Sequence, residues 1–254
     1  MGGNCGVLNV MWIKICGITR IEDAQAAAAA GAEAVGLNFY PGSRRFVHPD
    51  EAKEIAEAVP PSLDVVGVFV NSSVQDVIGI VRRAQLTAVQ FHGDETAESV
   101  AVFQEACPEV AVVRAFRLRT DALEQVIKSI HELRQSGVVL AAVLVDAFVA
   151  DAYGGTGHMI AADLFEQFRK SLNRLANASD NSESGQSCVR PTRVILAGGL
   201  TPETVASAAA AAQPWGVDTA SGVETAPGLK SSEKILRFVK AVRKAEPVES
   251  TDRL

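Results

Sequence analysis

The chain has 254 residues, 48% of them hydrophobic and only 6% aromatic, which suffices to bury one large core in a single domain. A formal net charge of -6 and a pI near 5.3 supply no basic field for nucleic acid or an anionic membrane surface, so an anionic ligand must be held by local donors. No apolar run approaches the roughly 18 residues of a membrane span, the opening MGGNCGVLNVMW lacks the charged and apolar regions of a signal peptide, and Cys5, Cys16, Cys107 and Cys188 show no C-x-x-C pairing. A cytoplasmic protein without a disulfide framework or a zinc site is expected.

Residues 1–10 contain three glycines and no hydrophobic period, so they read as a disordered leader to a domain over residues 11–246, with a C-terminal tail at 247–254. Within the domain, β-branched apolar runs alternate with alanine-rich or amphipathic helical stretches. Strands are predicted at residues 12–16, 34–39, 64–70, 88–92, 110–116, 138–146, 193–197 and 216–219. Helices are predicted to begin near Ile21, Pro49, Val74, Thr96, Asp121, Ile160, Pro202 and Ser231, with Asp121 as an N-cap and Thr201-Pro202 as a cap followed by proline at the first helical position. Eight strand-helix units point to an α/β single-domain (β/α)8 TIM barrel over an open doubly wound sheet.

Strand starts are evenly spaced except between the sixth and seventh, where the gap about doubles. Residues 173–191 (NRLANASDNSESGQSCVRP) are rich in Asn, Ser and Gly without apolar period, and read as a polar loop insertion after the sixth helix, remote from the catalytic face. Cys188 within it reads as an incidental exposed thiol.

Alternation along the strands selects candidate site residues, because successive side chains face opposite sides. Leu140, Ala142, Leu144 and Asp146 share one face and the more β-branched residues between them the other, so Asp146 points into the barrel mouth. By the same parity Lys14 and Cys16, Gln90 and His92, and Gly216 and Asp218 face inward. Polar groups at the carboxyl ends of separate strands thus converge where such barrels place their chemistry. Cys16 alone also reads as a small core hydrophobe. An inward carboxyl on another strand makes it instead one half of an acid-base pair, with the thiolate as base and Lys14 able to favour its ionisation. Arg45, beside Arg44 in the loop after the second strand, can hold a carboxylate through its planar fork. His92 is a proton carrier or, more simply, a structural hydrogen-bonding residue; His48, His131 and His158 have no constellation around them.

Three glycine-bearing loops supply backbone N–H groups for an anion: Gly154, Gly155, Thr156 and Gly157 after the sixth strand, Gly198 and Gly199 after the seventh, and Ser221 and Gly222 after the eighth. The last could open a short extra helix facing the barrel mouth, a common phosphate site of this fold.

Taken in order, KICGIT, FYPGSRRFV, VGVFVN, QFHGDE, VLVDA with GGTG, ILAGGLTPE and VDTASGVE resemble phosphoribosylanthranilate isomerase of tryptophan biosynthesis, from Met11 to about Val242 apart from the insertion. The resemblance implies a cofactor-free Amadori rearrangement of N-(5-phosphoribosyl)anthranilate to 1-(o-carboxyphenylamino)-1-deoxyribulose 5-phosphate. It implies Cys16 as general base, Asp146 as general acid, Arg45 at the anthranilate carboxylate and the glycine loops at the phosphate; Lys14, His92 and Asp218, inward by strand parity, are expected in support. Expected partners are a phosphorylated small molecule, with no nucleic acid, membrane or metal, in a monomer or homodimer. Departures from the family pattern are the leader, the insertion, Asn38, Phe91 and His158. Two rivals differ in kind. A related phosphate-handling barrel of tryptophan or histidine biosynthesis would carry paired aspartates or a Lys/Glu set in place of Cys16. A non-catalytic metabolite-binding barrel would have lost the acid and base that are present here.

Overall fold

The computed structural model describes residues 10–146, 157–178 and 192–245. Eight strands form a closed parallel barrel: β1 (Trp12–Cys16), β2 (Ala34–Asn38), β3 (Asp64–Phe69), β4 (Ala88–Phe91), β5 (Ala111–Arg117), β6 (Leu140–Asp146), β7 (Val194–Ala197) and β8 (Gly216–Thr219). The helices that follow them are α1 (Ile21–Ala30), α2 (Pro49–Glu57), α3 (Val74–Ala84), α4 (Ala97–Ala106), α5 (Leu123–Gln135), α6 (Gly157–Ala178), α7 (Val205–Ala212) and α8 (Ser232–Ala245). Between β8 and α8 lie a 3₁₀ turn (Ser221–Val223) and a small antiparallel hairpin of β9 (Glu224–Ala226) and β10 (Leu229–Lys230).

Strand alternation divides the core as the sequence pattern requires. Ile13, Ile15, Val89, Phe91, Val143, Val145 and Val217 join the apolar layer under the helices, together with Phe103, Phe165, Phe168 and Phe238. Val113, Ala115, Ala142, Leu144, Ile195 and Ala197 fill the barrel on one side, and Ala34, Val66 and Ala88 on the other. Trp12 packs against both inner groups and stacks on Trp215 with ring centroids 5.3 Å apart, while the Arg193 guanidinium lies 4.7 Å from the Trp215 ring centre. The floor is therefore sealed by aromatic surface, and the polar inward residues sit above it at the strands' carboxyl ends.

Several helix starts follow local chemistry: the Ser73 and Thr96 hydroxyls accept from the N–H groups of Asp76 and Ser99, and His48 with Glu51 forms a reciprocal cap ahead of Pro49. Others differ from expectation. Asp121 lies in a 3₁₀ turn (Thr120–Ala122) with its carboxylate paired to Arg119, and α5 starts at Leu123. Pro202 occupies a turn in which the Thr201 and Thr204 side chains satisfy the backbone, which delays α7 to Val205. Helix α6 begins at Gly157, ahead of Ile160. At β6 the Gln104 carboxamide bonds both the N–H and the C=O of Val139, a residue 74% exposed, so the strand starts at Leu140.

The polar stretch 173–191 is corrected in part: residues 173–178 continue α6. Leu172 is fully buried and Leu175 packs against the core, so the apolar face of the helix extends into sequence whose composition resembles a loop. Residues 179–191, the leader over 1–9 and the tail over 246–254 fall outside the described residues. Deleting 179–191 and closing the gap with a short Gly-Ser turn is expected to leave activity intact. Extending the deletion to Asn173 removes Leu175 and is expected to cost roughly 1–2 kcal/mol more in a denaturant titration. Equal stability of the two deletions would show that the last turns of α6 are not packed.

Candidate active site

A cavity of about 290 Å³ opens at the carboxyl ends of the barrel strands, lined by Cys16, Arg45, His92, Asp146, Gly198, Gly199, Asp218 and Ser221 among others. Cys16 ends β1 and Asp146 ends β6, so two elements that meet only through barrel closure bring the thiol and the carboxyl to one space. A larger cavity of about 670 Å³ lies to one side, between the β4–α4 loop, β5 and α5. It contains His92 but neither Cys16 nor Asp146, so chemistry and size point to different places, and the acid-base constellation decides for the smaller cavity.

Beneath Cys16, Lys14 is 1% exposed and its Nζ donates to Asp218 Oδ1 at 3.0 Å. Burial pushes the ammonium's pKa down, but the charges of Asp218 and Cys16 and their hydrogen bonds outweigh it and raise the value. A permanent cation thus sits against the thiol. His92 is pushed the other way, first by burial and then by Lys14, so its imidazole is neutral at neutral pH. Its Nδ1 lies 3.3 Å from the Gln90 carboxamide nitrogen. Gln90 is buried in the same mouth, and its Oε1 has no hydrogen-bond partner among the described residues.

Arg45 reaches the cavity from the β2–α2 loop and lies across Gly17. A Cβ at Gly17 would collide with the Arg45 side chain, and φ there is +73°, so glycine is needed both for the turn and for the approach. Arg45 donates from Nε to Glu224 Oε1 and from Nη2 to Glu224 Oε2, both at 2.7 Å. Burial pushes the Glu224 carboxyl up, but hydrogen bonds from Arg45 and Lys230 prevail and lower its pKa to about 2.

The loops after β7 and β8 are stitched together. Thr219 Oγ1 donates to the Leu200 carbonyl at 2.7 Å, and Gly222 packs so closely on that carbonyl that any side chain would strike it. Gly198 and Gly199 both take positive φ, +102° and +62°, turning the chain beneath the Ser221–Val223 turn. Gly154, Gly155 and Thr156 lie outside the described residues; Gly157 opens α6. Among the described residues no group of three or more His, Cys, Asp or Glu side chains is placed to hold a metal ion.

Strand parity found Lys14, Cys16, Gln90, His92, Asp146 and Asp218. It missed Arg114, which faces the helices from β5 and is buried there. Arg114 pairs with Glu95 at 2.7 Å and donates to the carbonyls of Phe91 and Gly93, fixing the loop that carries His92. Its only signal was a charge among outward apolar residues. Glu224 and Lys230 were also missed as partners, since nothing near them in the chain indicates what they hold.

Fold and site together define an enzyme of the (β/α)8-barrel class. The family model described as N-(5'phosphoribosyl)anthranilate (PRA) isomerase matches residues 13–241. A relative from Chlorobaculum parvum named N-(5'-phosphoribosyl)anthranilate isomerase is 40% identical over 92% of this chain and 96% of its own. The crystal structure of phosphoribosyl anthranilate isomerase from Thermotoga maritima superposes with a TM-score of 0.73 at 31% identity, covering 92% of this chain and 99% of that one. A structure of phosphoribosyl anthranilate isomerase with reduced 1-(o-carboxyphenylamino)-1-deoxyribulose 5-phosphate gives 0.72 at 30% identity over the same shares. The chain belongs to the phosphoribosylanthranilate isomerase family.

The Lys14–Asp218 pair makes a stability prediction. Lys14→Met leaves Asp218 without its buried counter-charge and is expected to cost about 3–5 kcal/mol, most of which Asp218→Asn restores in the double variant. Because the folded pKa of Lys14 is raised above its ordinary 10.5, its contribution is complete below that pH and is lost as pH rises through the raised value. Denaturant titrations of both proteins up the alkaline range check this: the gap between them should narrow only above about pH 10.5.

Proposed function

We propose that the chain isomerises N-(5'-phosphoribosyl)anthranilate to 1-(o-carboxyphenylamino)-1-deoxyribulose 5-phosphate, with Asp146 as general acid and Cys16 as general base. The observation that carries the assignment is that these two groups, from separate strands of the barrel, line one cavity together with Arg45 and the paired glycines Gly198 and Gly199. Asp146 protonates the furanose ring oxygen; the C1′–O bond breaks and the anilino nitrogen's lone pair forms the Schiff base. The Cys16 thiolate then removes the C2′ proton, and the electrons move to the nitrogen to give the enolamine, which tautomerises to the ketone. Each step exchanges a proton between the substrate and the protein or shifts electron pairs within the substrate, so no oxidant or reductant is consumed. Lys14 places a positive charge beside Cys16, Asp218 anchors Lys14, and neutral His92 offers a hydrogen bond without competing for the role of acid.

The phosphate is held by N–H groups at Gly198, Gly199, Ser221 and Gly222, joined by Gly154, Gly155, Thr156 and Gly157, and the aryl carboxylate is held by Arg45. Local donors, backbone N–H groups and the Arg45 guanidinium, thus hold the anion in a chain of net charge -6. From its membership of the tryptophan-biosynthesis isomerase family we assign the enzyme to the cytoplasm, as a monomer or homodimer.

Cys16→Ser and Asp146→Asn are each expected to lower kcat by about 10²- to 10⁴-fold while changing binding of a product analogue little. The rising limb of kcat/KM against pH should follow alkylation of Cys16 by iodoacetamide, and a product analogue should protect the thiol. Near-normal kcat in Cys16→Ser would remove the thiolate from the mechanism. Arg45→Ala is expected to raise KM while leaving inhibition by inorganic phosphate unchanged; equal weakening of both would move Arg45 to the phosphate subsite.

A further inference from the structure

The hairpin of β9 and β10 stands beside the barrel mouth and contributes no residue to the acid-base pair, yet it carries a buried carboxylate aimed at Arg45. We propose that Glu224 is a positioning residue that orients the Arg45 guanidinium, so that one edge of the fork is held by the protein and the other is presented to the substrate's aryl carboxylate. The proposal rests on the assignment of Arg45 to that carboxylate.

The geometry is specific. A guanidinium carries five N–H groups in a plane, and Glu224 uses the side edge, Nε and Nη2, at 2.7 Å each. The remaining edge, Nη1 with the outer N–H of Nη2, is the one that accommodates a second carboxylate in bidentate fashion. Glu224 therefore need not leave for the substrate to bind. It removes the rotamer freedom of a long side chain before binding, so that less is lost on binding.

Glu224 is itself immobilised. Its side chain is 6% exposed against 27% for Arg45. Its Oε1 also accepts from Lys230 Nζ at 2.8 Å and from the Gly228 N–H at 3.2 Å, and its carbonyl accepts from Lys234 of α8 at 2.7 Å. The rest of the hairpin is tied to the barrel: Lys230 N–H donates to Asp23 of α1 at 3.1 Å, and Thr19 of the β1–α1 loop donates to the Gly228 carbonyl at 2.6 Å. That loop begins at Gly17, across which Arg45 lies, immediately after Cys16. The guanidinium is thus registered against the β1 terminus from below by Gly17 and from the side by Glu224. Two cationic side chains, Arg45 and Lys230, contact the single carboxylate of Glu224, so it does not by itself neutralise the guanidinium.

The test uses Glu224→Gln, Arg45→Ala and the double variant, assayed with phosphoribosylanthranilate and with the phosphoribosyl derivative of aniline, which lacks the carboxylate. Glu224→Gln is expected to raise KM for the carboxylated substrate about tenfold with kcat changed less than about threefold. KM for the aniline derivative should be unchanged, and in the Arg45→Ala background Glu224→Gln should add nothing. A merely structural role would raise both KM values alike or add to Arg45→Ala, and either result, or an unchanged KM, overturns the proposal. If Arg45→Ala fails to distinguish the two substrates, the assignment of Arg45 fails instead, and the proposal with it. Should Glu224→Gln not fold, Glu224→Asp keeps a negative charge at this position but shortens its reach to Arg45, and must show the same substrate-dependent rise in KM; a wild-type KM there overturns the proposal.

Discussion

The ion pair between Lys14 on β1 and Asp218 on β8 is the contact on which the remaining arrangement depends. These are the two strands whose pairing closes the barrel, and the two residues are direct register partners, both facing inward. A buried ammonium without a counter-charge is strongly unfavourable, so the pairing penalises any register that separates them. The same pair sets the floor of the site. Cys16 stands one inward position beyond Lys14, and its surroundings are fixed by the strand contact that completes the fold.

Above that floor the site is assembled by loops that restrain one another. Arg114 and Glu95 brace the β4–α4 loop from the helix side, leaving His92 turned into the mouth. Thr219 and Gly222 lock the β8 loop onto Leu200, and the Arg45–Glu224–Lys230 cluster joins the β2 loop to the hairpin before α8. Polar groups that would be costly to bury alone are spent on joining elements. Each loop's conformation is therefore a property of its neighbours, and the barrel mouth is held open by side chains that do not themselves take part in proton transfer.

The two cavities at this face illustrate why volume is a weaker guide than chemistry. The larger one includes groups paired with each other, such as Arg114 with Glu95, and neither Cys16 nor Asp146. The smaller one brings together the Cys16 thiol, the Asp146 carboxyl and the buried Gln90 carboxamide, whose Oε1 has no hydrogen-bond partner among the described residues. Unsatisfied and convergent groups mark a place where a ligand completes the hydrogen bonding.

The sequence by itself determined what short-range periodicity can express. The bounds of β1 and β8 match the strand pattern to the residue, and alternation along the strands sent Cys16, Asp146 and Lys14 inward because a period of two admits one choice of face. The ordered motifs then carried the family. Where local rules compete, the reading slipped: the composition of residues 173–178 suggests a loop, but packing of Leu172 and Leu175 keeps the helix running. Only the tertiary structure decided that Glu224 holds Arg45 across 179 residues of chain and that Asp218 answers Lys14 across 204, or that Arg114 turns away from the mouth to brace it. Such pairings leave no periodic trace, since they are fixed by which strand ends meet when the barrel closes and not by the chemistry of adjacent residues.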